Sequence, residues 1–148
     1  MNDNKKSHWE HIYDVKTPEE VSWTQEKPET SLNFIHSFGT DKTAKIIDIG
    51  GGDSKLVDFL LEEGYENVSV LDISANALVR AKNRLGNKAE KVTWIVADIT
   101  EFEPTEQYDI WHDRAVFHFL TAKENIIKYT SIAERAISQN GFLIMGTF

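Results

Sequence analysis

The pattern of apolar and polar positions changes character near residue 40. Before it, apolar positions are scattered among polar ones, with Trp9, Trp23, Pro18 and Pro28 as landmarks. A short helix is expected over residues 7–15, and another from about Glu29 to Ser37 behind Pro28, whose fixed φ suits a first helical turn. From Ala44 the pattern becomes regular. Lys45-Ile46-Ile47-Asp48-Ile49 reads as a buried strand ending at Gly50-Gly51-Gly52. A helix over Ser54 to Glu63 places Leu56, Val57, Leu60 and Leu61 on one face and closes at Gly64. Val68 to Asp72 is a second strand; Ser74 caps a helix carrying Leu78, Ala81 and Leu85 to a stop at Gly86. Val92 to Val96 is a third strand and Tyr108 to Trp111 a fourth. Thr121-Ala122-Lys123-Glu124 reads as a capping box for a long helix with an apolar stripe of Ile126, Ile127, Ile132, Ala133, Ala136 and Ile137. A fifth strand is expected over Gly141 to Gly146.

Strands that alternate with helices imply right-handed crossovers, and hence an α/β, doubly wound, mostly parallel sheet with helices on its faces. Ligands of such sheets sit beyond the carboxyl ends of the strands, where the strand order reverses. That rule places a site beside Asp48 to Gly52, Asp72, Asp98 and Asp113 before any motif is considered.

Composition narrows the chemistry. The chain has 148 residues, 41% hydrophobic and 27% charged, as expected of one globular domain. Its net charge of −8, with no basic stripe, disfavours nucleic acid as a partner. The absence of cysteine excludes disulfides, thiolate metal sites and a cysteine nucleophile. The N-terminus lacks the apolar core of a secretion signal and no apolar run is long enough to span a membrane, so a cytoplasmic location is the expectation.

Each of the four acids at the strand ends is individually explained as a turn residue. Four of them at one sheet edge would repel one another unless a ligand used them. The glycines admit a similar pair of readings: a flexible connection, or bare backbone that a ligand approaches closely at a helix start. An acid 20 residues after Gly52, at the end of the second strand, turns the pattern into a nucleotide site, because Asp72 can accept hydrogen bonds from both ribose hydroxyls. The dinucleotide fingerprint G-x-G-x-x-G fails, since Lys55 stands where the third glycine belongs. The phosphate loop fails too, for want of Gly-Lys-Ser/Thr, and Asp53 would repel a pyrophosphate. A nucleoside cofactor without phosphate, preferably cationic, fits better; S-adenosylmethionine is such a molecule.

Asp48-Ile49-Gly50-Gly51-Gly52-Asp53-Ser54 resembles the D/E-x-G-x-G-x-G motif of class I S-adenosylmethionine-dependent methyltransferases, with Ser54 in place of the last glycine. Val70-Leu71-Asp72-Ile73-Ser74 resembles their ribose-binding strand end, and Val96-Ala97-Asp98-Ile99 their adenine-binding motif. Tyr108 to Asp113 is similar to the substrate-facing fourth strand. Glu20 to Gln25, Ser31-Leu32 and His112 to Leu120 resemble a bacterial branch similar to the lysine methyltransferases of citrate synthase and of translation elongation factor. The resemblance implies a Rossmann-like fold with strand order 3-2-1-4-5, helices on both faces, and an N-terminal helical lid over residues 1–40 ahead of a cofactor-binding domain over 41–148. It implies cofactor contacts from Asp48, Gly50, Gly51, Gly52, Asp72, Ile73, Asp98, Ile99 and Asp113. The family sheet normally has two further strands, so a chain truncated after its fifth strand, with an edge open to homodimer pairing, is the expectation.

Methyl transfer from a sulfonium is a single displacement whose main requirement is alignment. A base is needed only for a protonated acceptor such as lysine. Asp113 is the first candidate, with helix or turn capping beside Arg114 as its other reading; His112 and His118 could shuttle protons or be packed core groups. A metal site from His112, Asp113 and His118 matches no known ligand spacing, and no metal is expected. Tyr13 and Trp23 are pocket candidates in the lid, where an aromatic face would hold a cation; Trp94 and Trp111 are expected in the core. The leading expectation is a methyltransferase using S-adenosylmethionine, producing S-adenosylhomocysteine, and acting on a protein lysine or a small molecule. A non-catalytic cofactor-binding module and a nicotinamide-dependent oxidoreductase are the competing readings.

Overall fold

A computed structural model describes residues 27–114 and 116–146. The expected helix over 7–15 and the aromatic candidates Tyr13 and Trp23 lie outside the described residues. Five parallel strands form one sheet: β1 (Lys45–Ile49), β2 (Asn67–Asp72), β3 (Val92–Val96), β4 (Tyr108–Asp113) and β5 (Ile137–Met145), in the order β3-β2-β1-β4-β5. The helices are α1 (Glu29–Ser37), α2 (Leu56–Glu62), α3 (Ala75–Leu85) and α4 (Lys123–Ala136). This is the expected doubly wound, Rossmann-like architecture, with the order reversing at β1.

The alternation of side chains along each strand assigns the helices to faces. Ile46, Val68, Val70 and Ile110 pack with Leu32 and Ile35 of α1, Leu56, Val57 and Leu60 of α2, and Leu78 and Leu85 of α3. Ile47, Ile49, Leu71 and Trp111 face the other way and pack with Tyr129, Ile132, Ala133 and Ala136 of α4. Because Leu32 and Ile35 are core residues, α1 belongs to the same packed body as β1, although it precedes residue 41.

Three local expectations need correction. The buried stripe of α4 runs through Tyr129, Ile132, Ala133 and Ala136, while Ile127 is 58% exposed. Positions 129, 132, 133 and 136 share a face at the helical period, and Ile127 points away from it. The capping box does not form: Ala122 is extended and occupies the N-cap without a side-chain bond, so α4 begins at Lys123. α2 begins at Leu56 rather than Ser54, because Ser54 Oγ instead accepts from the Leu56 N–H and closes the turn before it.

β5 follows α4 directly and starts earlier than expected. Its pairing with β4 jumps from Tyr108↔Ile137 to Ile110↔Phe142, so the intervening residues bulge and regular pairing resumes at Phe142. Among the described residues β5 pairs only with β4, and Leu143 is 50% exposed on this edge strand. No helix among the described residues is long and apolar enough to cross a membrane.

Candidate cofactor site

The register brings the carboxyl ends of four strands together: Ile49 pairs with Leu71 and with Asp113, and Asp72 pairs with Val96. The loop after β1 is tied down on this edge by the Gly50 N–H, which donates to the Leu71 carbonyl at 2.6 Å. Gly50 has φ +70°, a conformation open to glycine, and a Cβ there would overlap Val116. A Cβ on Gly51 would overlap Asp48 Oδ2, and one on Gly52 would lie 2.5 Å from Ala77 Cβ and 2.8 Å from Asp72 Oδ2. The glycines therefore let the loop close tightly over the two carboxylates and the start of α3.

Asp48, Asp72, Asp98 and Asp113 are all buried, and each is held differently. Asp72 Oδ2 accepts from the Gly52 N–H and Oδ1 from the Ser74 N–H, both at 2.9 Å. Burial nevertheless pushes its carboxyl up to about 7, against the pull of these two bonds and helped by the neighbouring charges of Asp53 and Asp48. Each oxygen retains lone-pair capacity for a hydroxyl donor. Asp98 Oδ1 accepts from the Thr100 N–H and hydroxyl, a turn arrangement. Asp113 accepts from the Val116 N–H (2.8 Å), the Phe117 N–H (3.0 Å) and the Tyr129 hydroxyl (2.5 Å). Burial raises its carboxyl above the ordinary range, outweighing those three bonds. Tyr129 in turn accepts from Trp111 Nε1 at 2.9 Å, and its own phenol is pushed upward by burial and then by the Asp113 charge.

Asp48 stands apart. Its Oδ1 accepts from His112 Nδ1 at 2.8 Å, yet its Oδ2 is buried and has no hydrogen-bond partner among the described residues. A buried carboxylate oxygen without a donor is costly, and a bound donor or cation would relieve it. This orphaned oxygen adjoins Gly51, on the edge where the strand order reverses.

Ile73 is half-buried and Ile99 is buried within the α4-side core. His118 is half-buried on the short 3-10 turn Phe117–Phe119 and meets Phe119 edge to face. His112 and Asp113 reach opposite faces of the sheet, toward Asp48 and Tyr129 respectively, so they cannot share a metal ion. Asp53 is gripped by Arg80 through two bonds of 3.1 Å, which neutralises the charge expected to repel a phosphate. The case against a pyrophosphate then rests on the missing third glycine and the unpaired oxygen of Asp48.

The sequence pattern of a methyltransferase domain matches residues 47–143, well over half of the chain. The chain belongs to the methyltransferase domain family. Among curated relatives, it is 25% identical over 150 residues to malonyl-[acyl-carrier protein] O-methyltransferase 2 of Ilyobacter polytropus, covering 100% of this chain and 56% of that protein. It is 35% identical over 101 residues to trans-aconitate 2-methyltransferase of Rhizobium etli, covering 68% of this chain and 38% of that protein. The chain thus spans about half, or less, of the length of these relatives. Its fold is similar to that of the N-methyltransferase NodS from Bradyrhizobium japonicum, solved with S-adenosyl-L-homocysteine: the TM-score is 0.75 at 17% identity, covering 97% of this chain and 72% of that one.

For this member of the methyltransferase domain family, sequence reasoning underrated three residues. Ser31 and Tyr129 were not singled out for chemistry, and His112 was not placed beside Asp48. Tyr129 had a signal, its helical spacing with Ile132, Ala133 and Ala136. Ser31 and His112 are 81 positions apart and had none.

Proposed function

We propose that this chain binds S-adenosylmethionine across the Gly50–Gly52 loop and transfers its methyl group to a protein lysine or a small-molecule acceptor, leaving S-adenosylhomocysteine. The observation that carries this reading is the orphaned Oδ2 of Asp48, a buried carboxyl oxygen without a partner among the described residues that fits the ammonium at the amino acid end of such a cofactor. Asp72, with spare lone pairs on both oxygens, fits the ribose hydroxyls, and Asp98 with Ile73 and Ile99 fits the adenine end. When bound, the cofactor supplies an electrophilic methyl group on a sulfonium. The chain's own residues hold the nucleoside, exclude water and fix the line of approach. Asp113 serves this by bracing residues 116–117 against Gly50 rather than by touching the acceptor. His118, on the same turn and only half-buried, is the group we assign to accept a proton from an amine acceptor.

Calorimetric titration with S-adenosylhomocysteine and with NADH tests the cofactor, and labelled S-adenosylmethionine with cell extract tests the transfer. Binding of the first ligand alone, with label entering an acceptor, is expected. Binding without any transfer supports a holding module instead, and preference for NADH overturns the reading.

A pH dependence follows from Asp72. Its carboxyl lies near 7 in the fold against 3.8 ordinarily, so the fold holds this proton more tightly than the unfolded chain does. The stability contributed by that protonation is complete below about pH 4 and lost as the pH rises through about 7. Ribose hydroxyls need the carboxylate, so binding must release the proton. Affinity for S-adenosylhomocysteine is therefore expected to be about tenfold weaker at pH 6 than at pH 8, one bound proton giving about a factor of ten per unit below the pKa. Calorimetry in two buffers of different ionisation enthalpy should detect the released proton; flat affinity and no release would remove Asp72 from the site.

A further inference from the structure

The bond from Asp48 to His112 is one link of a longer chain. His112 Nε2 lies 2.7 Å from Ser31 Oγ, so Asp48 of β1, His112 of β4 and Ser31 of α1 form a line of three buried side chains from three elements. The register sets up its first half, because Asp48 and His112 are Cα partners across the β1–β4 ladder and point to the same face. α1 supplies its second half: Leu32 and Ile35 anchor the helix in the core, and Ser31 in its first turn meets the imidazole. A carboxylate only accepts, so the neutral ring presents Nδ1–H to Asp48 Oδ1, and Nε2 then accepts the Ser31 hydroxyl proton, which holds the ring in that orientation.

The order Ser–His–Asp is that of a hydrolytic triad, but Ser31 is only 6% exposed and its hydroxyl has no room to meet a substrate. The chain of bonds must act on Asp48 instead. A carboxylate turns easily about its terminal torsion. Clamping Oδ1 through a ring that is itself clamped leaves Oδ2 in one place, beside Gly51, unpaired.

We propose that His112 and Ser31 are positioning residues that lock Asp48 so that its free oxygen receives the ammonium group of the cofactor, making the site select adenosyl amino acids over nucleosides that lack the amino acid. This rests on the function proposed above. Both positions are buried, and apolar side chains there would carry a lower desolvation cost, so the polar line has a use other than stability.

The test compares two ligands that share the nucleoside and thioether but differ at the amino acid: S-adenosylhomocysteine and methylthioadenosine. Both are titrated into the wild type and into the variants His112→Leu, His112→Asn and Ser31→Ala, with folding followed by circular dichroism. His112→Leu is expected to weaken S-adenosylhomocysteine about tenfold or more, the scale of a lost hydrogen bond to a charged group, with methylthioadenosine within about twofold. His112→Asn keeps a donor close to the Nδ1 position and should restore most of the preference. Ser31→Ala should lose about threefold, on the scale of a neutral hydrogen bond. Equal losses for both ligands in folded protein would overturn the proposal, as would His112→Asn behaving like His112→Leu. Should His112→Leu fail to fold, an unchanged ligand ratio in Ser31→Ala overturns it. A wild type that binds neither ligand overturns the underlying cofactor reading, whereas a wild type that binds both equally overturns this proposal and leaves that reading standing.

Discussion

Replacing Asp72 with alanine is expected to abolish cofactor binding while leaving a folded chain. The side chain accepts from the Gly52 and Ser74 N–H groups and offers its remaining lone pairs to two ribose hydroxyls. Two hydrogen bonds to a charged group, at about 1.5–3 kcal/mol each, amount to a loss of roughly 100-fold or more in affinity. The fold loses two loop bonds in the same substitution. It also loses a buried carboxylate whose raised pKa marks ionisation as unfavourable there, so the two effects oppose each other. The variant should melt within a few degrees of the parent at pH 8 yet gain no thermal stability from S-adenosylhomocysteine. An unchanged dissociation constant in the folded variant would sink the ribose assignment.

The architecture was legible because strands and helices announce themselves by different periods, and this chain keeps those periods from Ala44 as far as α4, where the pattern misplaces Ile127 and Ile137. The strand alternation alone places the candidate site, at the carboxyl edge of the sheet beside Gly50 to Gly52. What could not be read was which partner each polar side chain would meet. In the sequence Asp53 is an unscreened charge, because Arg80, 27 positions later, reaches it only once β2 has returned α3 alongside the loop. The repulsion expected among four acids at one edge is largely met from within. Backbone N–H groups, a threonine hydroxyl, a tyrosine and a histidine hold them, and Asp48 keeps a buried oxygen without a partner among the described residues. The acids together were a weaker sign of a ligand than that single atom. Ile127 was misplaced for a related reason: a stripe chosen by hydrophobicity passed over Tyr129, whose hydroxyl suits a buried position only because Asp113 and Trp111 are there to bond it.

That hydroxyl decides what Asp113 should do when altered. A general base at the reacting centre would lose its function on conversion to asparagine or alanine and leave the fold unharmed. Asp113 is fully buried and lies under residues 116–117, with the Val116 and Phe117 N–H groups and the Tyr129 hydroxyl all directed at it. Its removal strands three donors in the interior, each at about 1–3 kcal/mol if no water replaces the lost partner. Relief of a buried, raised-pKa carboxyl offsets part of this, so Asp113→Ala is expected to cost about 2–4 kcal/mol, within the range of a broken buried network. For a domain of this size that is a fall of roughly 10 °C in Tm. Tyr129→Phe removes one arm of the same network and should show a smaller fall. A double-mutant cycle between the two positions should then be non-additive, since they share one bond. In the bracing role, turnover per folded molecule drops because Val116 no longer packs against Gly50, and the S-adenosylhomocysteine dissociation constant rises with it. A base predicts the reverse pattern: unchanged Tm, unchanged cofactor affinity and turnover reduced by roughly 100-fold or more, the usual scale for losing a general base.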